Sequence, residues 1–345
     1  MSRRRGELTM RALAFSGYGD PARVLRVAEL PRPEPGPRHL RVRLAARPVN
    51  PSDLLFVRGA YGREACFTRH RGDGAESSGW AVAGFEGAGT VQALGEGTGG
   101  PAPGTRVAVS ATGTWQEEVC VPESDVFPLP DGIPMDVGCQ LTVNPYTAVL
   151  LLRETALERG DTLLLTAGAS VVSRMTVHLA RARGVRCLPV VRRTQQARAL
   201  AHMGAEPVLA TSARALTGTA LAVAGRRRVD AVLDAVGGTT GTAALRCLRP
   251  GGQFLSYGML SGSPIRVSPD ELVFRQVTLR GFWLPEGMAR LDGQESRRIT
   301  GEVEAAVARG LPGLEVAEHH DLADFRAALR RTRQPGRSGR VVLTG

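Results

Sequence analysis

The chain has 345 residues, 43% of them hydrophobic, which is too long for one small core and about right for two domains. No apolar run approaches the roughly 18 residues of a membrane-spanning helix, so we expect no membrane segment. The net charge of +11 rests on 44 basic residues that are all Arg and lie scattered along the chain, and we therefore expect neither nucleic acid nor a membrane as a partner.

The first nine residues lack the apolar core of a secretion signal. We expect residues 1–9 to form a disordered extension and the protein to be cytoplasmic. The cysteines are odd in number and widely spaced, which argues against disulfides and against a zinc cluster. They are Cys66, Cys120, Cys139, Cys187 and Cys247.

Between Met10 and about Pro134, short β-rich runs alternate with Pro and Gly, as in residues 40–46 and 106–110. This pattern predicts an antiparallel, partly barrel-like β domain.

The pattern changes near Asp136, where strands and helices begin to alternate. A helix is expected over residues 137–158, followed by a strand at 161–166 and a helix at 174–183. The same alternation predicts strands at 186–191, 207–209, 231–234 and 252–257, with helices at 194–203 and 240–247. Such an order is typical of a doubly wound parallel sheet. Two further helices, at 295–309 and 322–331, and a strand at 339–343 complete the chain.

The turn after the strand at 161–166 is the expected dinucleotide site, because backbone N–H groups at a helix start can meet a pyrophosphate there. The turn keeps one glycine, Gly168, and contains no G-x-G-x-x-G motif. Ser170 and Ser173 offer hydroxyl groups, whereas Val171 and Val172 are bulky for such a turn. The alternative is a strand-to-helix turn that has lost its nucleotide.

Two arginines, Arg192 and Arg193, follow the strand at 186–191, where an NAD-specific site would place an acid. Guanidinium groups suit a 2′-phosphate, so this position favours NADPH over NADH. In a chain so rich in Arg, the pair could also be accidental.

Three separate segments carry a resemblance to a known family: residues 50–62, residues 84–91 and Gly281-Phe-Trp-Leu284. Together they resemble the zinc-free branch of the medium-chain dehydrogenase/reductase superfamily, and within it the NADPH-dependent 2-enoyl thioester reductases. The resemblance implies an α/β protein with a β-rich GroES-like catalytic domain and an inserted, doubly wound Rossmann-type domain. The implied boundaries are 10–136 with 285–345 for the catalytic domain and 137–284 for the NADPH domain. Relatives of this kind usually pair as homodimers through the edge strand of the nucleotide sheet.

The resemblance also implies which residues line the cofactor. They are Asn144, Ala169, Ser170, Val171, Val172, Arg192, Arg193, Thr194, Tyr257, Gly258, Met259, Leu260, Phe282, Trp283, Leu284 and Arg340. Arg340 stands where relatives commonly have Lys, and either side chain can reach a phosphate.

Zinc-dependent relatives bind their catalytic metal through a Cys, a His and a later Cys. This chain has Asn50, Phe85 and Asn144 near those places, and Phe85 cannot bind a metal. We therefore expect no metal site.

Tyr61 matches the tyrosine that is the proton donor in enoyl thioester reductases. A phenol with a pKa near its ordinary value of about 10 stays protonated at neutral pH and can serve a carbonyl oxygen or the carbon beside it. The small-molecule substrate would then be an enoyl thioester, an enone or a quinone. Trp283 favours the enoyl reductases, since quinone reductases also show an aromatic residue near Tyr61. The other readings are an NADPH:quinone oxidoreductase and a non-catalytic binding protein.

The link between Tyr61 and Gly84 is about a dozen residues longer than in relatives, and long loops beside a site are often functional. We expect residues 63–83 to edge the substrate pocket, with Arg63, Arg69 and Arg71 either meeting an anionic substrate or merely solvated. Glu86 is expected to be structural.

Overall fold

A computed structural model of the chain describes residues 9–69, 79–334, 336 and 339–345. The chain divides into two compact units: unit 1 is Met1–Val143 with Leu314–Gly345, and unit 2 is Asn144–Gly313. The expected extension over residues 1–9 lies outside the described residues except for Thr9, which begins a strand.

Unit 1 is built mainly from strands. They are β1 (Thr9–Phe15), β2 (Arg26–Pro31), β3 (His39–Pro48), β4 (Ala81–Val82), β5 (Glu86–Leu94), β6 (Arg106–Ser110), β7 (Glu118–Pro122), β8 (Val126–Pro128), β15 (Val316–Asp321) and β16 (Arg340–Thr344). Its helices are α1 (Pro21–Val24), α2 (Pro51–Val57), α3 (Met135–Gly138) and α12 (Phe325–Arg333).

The strands of unit 1 form two sheets. One has the order β2-β1-β4 and the other the order β15-β16-β3-β5-β6-β8, with β7 also paired to β3. Every pairing is antiparallel except β15 with β16. The predicted antiparallel β domain is therefore confirmed.

Unit 2 alternates strands and helices. The strands are β9 (Thr162–Leu165), β10 (Arg186–Val191), β11 (Val208–Leu209), β12 (Val229–Asp234), β13 (Leu248–Ser256) and β14 (Thr278–Gly281). The helices are α4 (Asn144–Thr155), α5 (Val171–Ala182), α6 (Thr194–His202), α7 (Ala213–Ala224), α8 (Gly238–Leu245), α9 (Pro269–Val273), α10 (Leu284–Ala289) and α11 (Gly293–Ala308).

The sheet of unit 2 is wholly parallel, with the order β11-β10-β9-β12-β13-β14. This is the doubly wound order in which the direction of winding reverses between the first and fourth strands, here β9 and β12. Leu163, Leu164 and Leu165 of β9 have no exposed surface, as a central strand covered on both faces requires. The predicted Rossmann-type sheet is confirmed.

The domain boundaries differ from those predicted at both ends of unit 2. It begins at Asn144 and extends through α11 to Gly313. Helix α11 belongs here because it packs on α4, where the hydroxyl of Tyr146 donates to Thr300 Oγ1 over 3.1 Å and Arg153 pairs with Glu295. These contacts have no signal in the sequence pattern, which shows only that the helix is amphipathic.

The helix expected over residues 137–158 is in fact two helices, α3 and α4. The break is consistent with Pro145 at the second position of α4, since proline has no N–H to continue a preceding helix. The short segment between the two helices is held by side-chain contacts of unit 1, described below.

Candidate active site

The candidate proton donor, Tyr61, lies in a bend shortly after α2, and its side chain is half-buried. Its ring packs against Phe85, with the centroids 5.0 Å apart and the planes inclined by 36°. Phe85 in turn meets Phe56 nearly edge-on at 5.2 Å, and Phe56 is fully buried. The phenol therefore rests on a rigid apolar support. The sequence singled out Phe85 only because it cannot bind a metal, and missed that it supports Tyr61.

Asn50 is the N-cap of α2 and is almost fully buried. Its side-chain amide donates to Glu86 Oε1 over 2.8 Å, and its backbone N–H donates to Asp53 Oδ2 over 2.7 Å. Asn50, which stands near the place of the first zinc ligand in relatives, is thus hydrogen-bonded to two buried carboxyl groups. Among the residues that the structure describes, no three His, Cys, Asp or Glu side chains converge as a metal site would require.

Glu86, at the start of β5, holds the segment that leads into α4. Its Oε2 accepts hydrogen bonds from Thr142 N, Thr142 Oγ1 and Val143 N over 3.2, 3.1 and 3.0 Å. Burial raises the pKa of Glu86, and the bond from Asn50 opposes that shift. The carboxylate consequently fixes the two residues that precede Asn144 in the chain.

Asp53 and Arg340 share the buried region of Glu86. Burial raises the pKa of Asp53 to about 8, against the hydrogen bond from the backbone of Asn50. Arg340, in β16, is only 5% exposed and its Nη1 donates to the carbonyl of Val49 over 3.4 Å. Burial lowers the pKa of Arg340, while the charges of Glu86 and Asp53 raise it. The described contacts of Arg340 thus lie within unit 1, and its contact to the cofactor stays a prediction.

In unit 2, the turn between β9 and α5 has little free space around its glycine. A Cβ on Gly168 would lie 2.6 Å from Pro189 Cβ and 2.8 Å from the carbonyl carbon of Pro189, so only glycine fits. Ser170 is the N-cap of α5, where its hydroxyl oxygen accepts from Ser173 N over 3.3 Å. Ala169, Ser170, Val171 and Val172 are each partly exposed at this helix start. The turn therefore packs closely on the neighbouring strand β10 at Gly168 and presents the start of α5, without the usual glycines of a dinucleotide site.

A second feature of this region was missed by sequence reasoning. The hydroxyl of Thr166 donates to Asp234 Oδ1 over 2.6 Å and accepts from Ala235 N over 2.9 Å. The other carboxylate oxygen of Asp234 accepts from Gly237 N over 2.8 Å. Thr166 and Asp234 lie at the carboxyl ends of β9 and β12, the strands between which the winding reverses. Their position at the ends of two predicted strands was the available signal.

Tyr257, which follows β13, closes the same region. Its hydroxyl lies 3.5 Å from Ser173 Oγ, and burial raises the pKa of this phenol while bonds to Ser173 and Ser170 oppose the shift. Gly258 lies so close to the end of the neighbouring strand β12 that a Cβ would lie 2.7 Å from the carbonyl oxygen of Ala235. Met259 and Leu260 are exposed. The structure therefore brings Tyr257 together with the turn at 168–173, and Gly258 together with the residue that follows β12.

Arg192, Arg193 and Thr194 follow β10, the strand beside β9, and all three are exposed. Within the described part of the chain, neither guanidinium group has an ion pair or a side-chain hydrogen bond. The two cations are consequently available to an anionic ligand at the carboxyl edge of the sheet.

The remaining predicted cofactor residues occupy element ends of unit 2. Phe282 N donates to the carbonyl of Ser256 over 2.8 Å, Trp283 is the N-cap of α10, and Leu284 begins that helix; all three are partly exposed. Asn144 is the first residue of α4 and is buried. Tyr61 and Arg340 belong to unit 1 instead.

Comparisons with known proteins agree with both units. An alcohol dehydrogenase GroES-like domain matches residues 36–131, and a zinc-binding dehydrogenase domain matches residues 171–297. The mitochondrial enoyl-[acyl-carrier-protein] reductase of Bos taurus is 30% identical, over 97% of this chain and 88% of its own.

Two solved structures are similar over almost the whole chain. A putative NADPH:quinone reductase from Bacillus thuringiensis has a TM-score of 0.86 at 27% identity and covers 98% of this chain and 99% of its own. A mycobacterial protein complexed with NADPH has a TM-score of 0.84 at 30% identity and covers 97% of this chain and 100% of its own. Given the full-length relatives, the two matched domains and the parallel sheet of unit 2, the chain belongs to the medium-chain dehydrogenase/reductase superfamily.

Proposed function

We propose that the protein is an NADPH-dependent reductase of α,β-unsaturated carbonyl compounds, with 2-enoyl thioesters as the preferred substrates. The observation that carries the proposal is the Tyr61 phenol, half-buried and packed on Phe85 in a place where zinc-dependent relatives have a metal ligand. The Bos taurus relative, an enoyl-[acyl-carrier-protein] reductase, supports the choice of substrate class.

The residues of unit 2 fit NADPH. The turn at 168–173 leaves no room for a side chain at Gly168 and presents the start of α5, as a pyrophosphate site requires. Arg192 and Arg193 offer two cations to a 2′-phosphate. The mycobacterial structure solved with NADPH, at 30% identity, supports the same cofactor. Asn144, Ala169 to Val172, Thr194, Tyr257 to Leu260, Phe282 to Leu284 and Arg340 are proposed as further contacts.

When bound, NADPH supplies the hydride that reduces the β carbon, and it is oxidised to NADP⁺. Reduction at the β carbon would place negative charge on the carbonyl oxygen of the substrate. The hydroxyl of Tyr61 stabilises the developing charge and gives its proton to the α carbon, directly or through the enol. Water then returns a proton to the phenolate. The apolar support from Phe85 restricts the movement of the phenol, which keeps its hydroxyl in one orientation.

The test is the oxidation of NADPH by purified protein with a crotonyl thioester. We expect turnover in the wild type and a loss of about a hundredfold or more in kcat for Tyr61→Phe, which lacks the proton. Tyr146→Phe, which removes a hydroxyl that bonds Thr300 within unit 2, is the matched control. An inactive wild type, or an active Tyr61→Phe, would refute the proposal.

A quinone reductase is the second candidate, favoured by the Bacillus thuringiensis structure. Quinones accept electrons with little need of an acid. Turnover of a benzoquinone at a rate unaffected by Tyr61→Phe, without turnover of thioesters, would support that candidate. Failure of the wild type to bind NADPH in a fluorescence titration would instead support a non-catalytic protein.

We further infer a homodimer and a cytoplasmic location. Strand β14 is an edge of the sheet in unit 2, and apolar side chains beside it are exposed, foremost Phe274. All five cysteines are free thiols, as a reducing compartment favours. No helix among the described residues is long and apolar enough to span a bilayer.

A further inference from the structure

Tyr18 lies between the bend that carries Tyr61 and the long segment that follows it. The residue comes just after β1, and its side chain is 45% exposed. Although exposed, the side chain makes three separate contacts in one region of unit 1.

The first contact is with the bend itself. Gly59, two residues before Tyr61, has a φ of +70°, and a Cβ there would lie 2.8 Å from Tyr18 Cγ. The ring therefore lies directly against the backbone of the bend. The neighbouring Gly19 adds a hydrogen bond from its N–H to the carbonyl of Val57, the last residue of α2, over 3.0 Å.

The other contacts are with the segment after Tyr61. The hydroxyl oxygen of Tyr18 accepts a hydrogen bond from Ala65 N over 2.8 Å. Its ring meets Phe67 edge-on, with centroids 5.6 Å apart and planes at 75°. Thr68 is held in addition by two backbone hydrogen bonds with Trp80, of 3.0 and 2.8 Å. Tyr18 thus holds the first described end of the long segment, and the Thr68–Trp80 bonds join that end to the second.

A chain of aromatic rings joins the same two places through the core. Phe67 packs on Phe15 at 5.5 Å, Phe15 on Phe56 at 5.7 Å, and Phe56 on Phe85, which supports Tyr61. Phe15 and Phe56 are fully buried, so this route is rigid. Tyr18 links the same two places at the surface, because its ring contacts both Phe67 and the bend at Gly59.

We propose that Tyr18 is a positioning residue for Tyr61, and that the segment at 65–68 is part of the support of the proton donor. Loss of the Tyr18 hydroxyl removes the acceptor of Ala65 N directly, and the ring, no longer held by that bond, can shift against Phe67 and the bend at Gly59. The inference rests on the proposed function for its catalytic consequence, but the positioning itself can be measured without any turnover.

The direct test uses the whole protein labelled with ¹³C at the ζ carbon of tyrosine. The chain has four tyrosines, so the spectrum has four signals, each assigned by its Tyr→Phe variant. We expect Tyr18→Phe and Phe67→Leu to shift or broaden the signal of Tyr61 and to leave those of Tyr146 and Tyr257, in unit 2, in place. Gly59→Ala, whose Cβ would lie 2.8 Å from Tyr18 Cγ, should shift the Tyr61 signal as well.

The kinetic test compares kcat with KM. Tyr18→Phe is expected to lower kcat for a crotonyl thioester on the order of tenfold, with KM nearly unchanged, because a misplaced donor costs rate rather than ground-state binding. Tyr146→Phe is again the control. A Tyr61 signal that stays in place in both folded Tyr18→Phe and Phe67→Leu would overturn the inference. A shifted signal in a protein that reduces no thioester would uphold the positioning and overturn only the proposed reaction.

Discussion

The side-chain amide of Asn50 donates a hydrogen bond to Glu86 Oε1 over 2.8 Å, and both residues are buried. The opposite oxygen of Glu86 accepts three more hydrogen bonds from Thr142 and Val143. Four donors directed at one carboxylate stabilise its charged form, although burial alone raises the pKa of Glu86. Unit 1 thus uses a region that binds metal in other members of the superfamily to join α2, β5 and the segment before α4.

Glu86→Gln tests this interpretation. The glutamine places an NH₂ group where donors already point, so at least one buried donor loses its acceptor. We expect unfolding of unit 1 to become easier by about 1–3 kcal/mol. The measurement is the urea midpoint followed by tryptophan fluorescence, to which the buried Trp115 of unit 1 contributes. Glu302→Gln, which removes only a surface pair with Arg183, should change stability by less than about 1 kcal/mol.

The raised pKa of Asp53 predicts a dependence of stability on pH. The folded state holds a proton up to about pH 8, whereas the unfolded chain releases it near 3.8. The folded state therefore binds more protons between these values, and the free energy of unfolding falls as the pH rises through them.

Asp53→Asn removes this titration but keeps an oxygen for the hydrogen bond from Asn50. We expect the stability of the variant, relative to the wild type, to improve as the pH rises toward about 8. Urea midpoints over that range give the measurement, and Asp131→Asn at an exposed turn is the control. A constant difference between variant and wild type would show that Asp53 does not titrate in this window.

Much of the fold followed from periodicity, because β9, β10 and β12 each contain a short apolar run between turns. Strand β10 was predicted at its observed bounds. Helix α7 was not predicted, since its run of Ala, Leu and Thr has no marked polar face. The assignment of α11 to unit 2 was also missed, because it depends on contacts with α4 that no local pattern reveals.

The make-up of the candidate site could be proposed from the sequence where a residue type is chemically distinctive, as with Tyr61 and Arg192, whose roles stay predictions. It was not predictable where ordinary residues act through packing. Phe85 packs against Tyr61, and the ring of Tyr18 packs against Gly59. In both cases the two partners are far apart in the sequence or are residue types too common to stand out. Segment 70–78 of the expected pocket edge, which includes Arg71, lies outside the described residues, whereas Arg63 donates to Thr112 Oγ1 over 2.6 Å.

Gly168→Ala tests the turn between β9 and α5. The new Cβ would lie within 3 Å of three atoms of Pro189, so the turn must shift. We expect weaker NADPH binding, by about tenfold or more, together with a loss of about 1–3 kcal/mol in stability. Gly218→Ala, in helix α7 with no atom near the added methyl group, should be neutral or stabilising by about 0.5–1 kcal/mol. The measurements are NADPH affinity by fluorescence titration and stability by thermal unfolding of both variants. Equal affinity and equal stability in the two variants would contradict the close packing of Gly168 on Pro189.

Arg192→Ala combined with Arg193→Ala tests cofactor choice. Each guanidinium that meets a 2′-phosphate contributes roughly 1.5–3 kcal/mol, so the loss of both should lower NADPH affinity by about a hundred- to ten-thousandfold while NADH affinity changes little. Arg214→Ala, an exposed arginine of α7, is the control for general charge loss. An equal loss of affinity for NADPH and NADH would mean that Arg192 and Arg193 do not bind the 2′-phosphate.

Phe274→Glu tests the inferred homodimer. Phe274 is 82% exposed just after α9, and Leu279 in the edge strand β14 is exposed as well. Pairing of two β14 strands would cover these side chains, and a carboxylate there would be buried without a partner. We expect the wild type to show twice the chain mass of 36.6 kDa in light scattering, and the variant to show the single mass at the same concentration. Leu209→Glu is the matched control, because Leu209 is 42% exposed in β11 at the opposite edge of the same sheet. Dissociation by Leu209→Glu but not by Phe274→Glu would move the interface to the β11 edge, and a monomeric wild type would exclude the dimer.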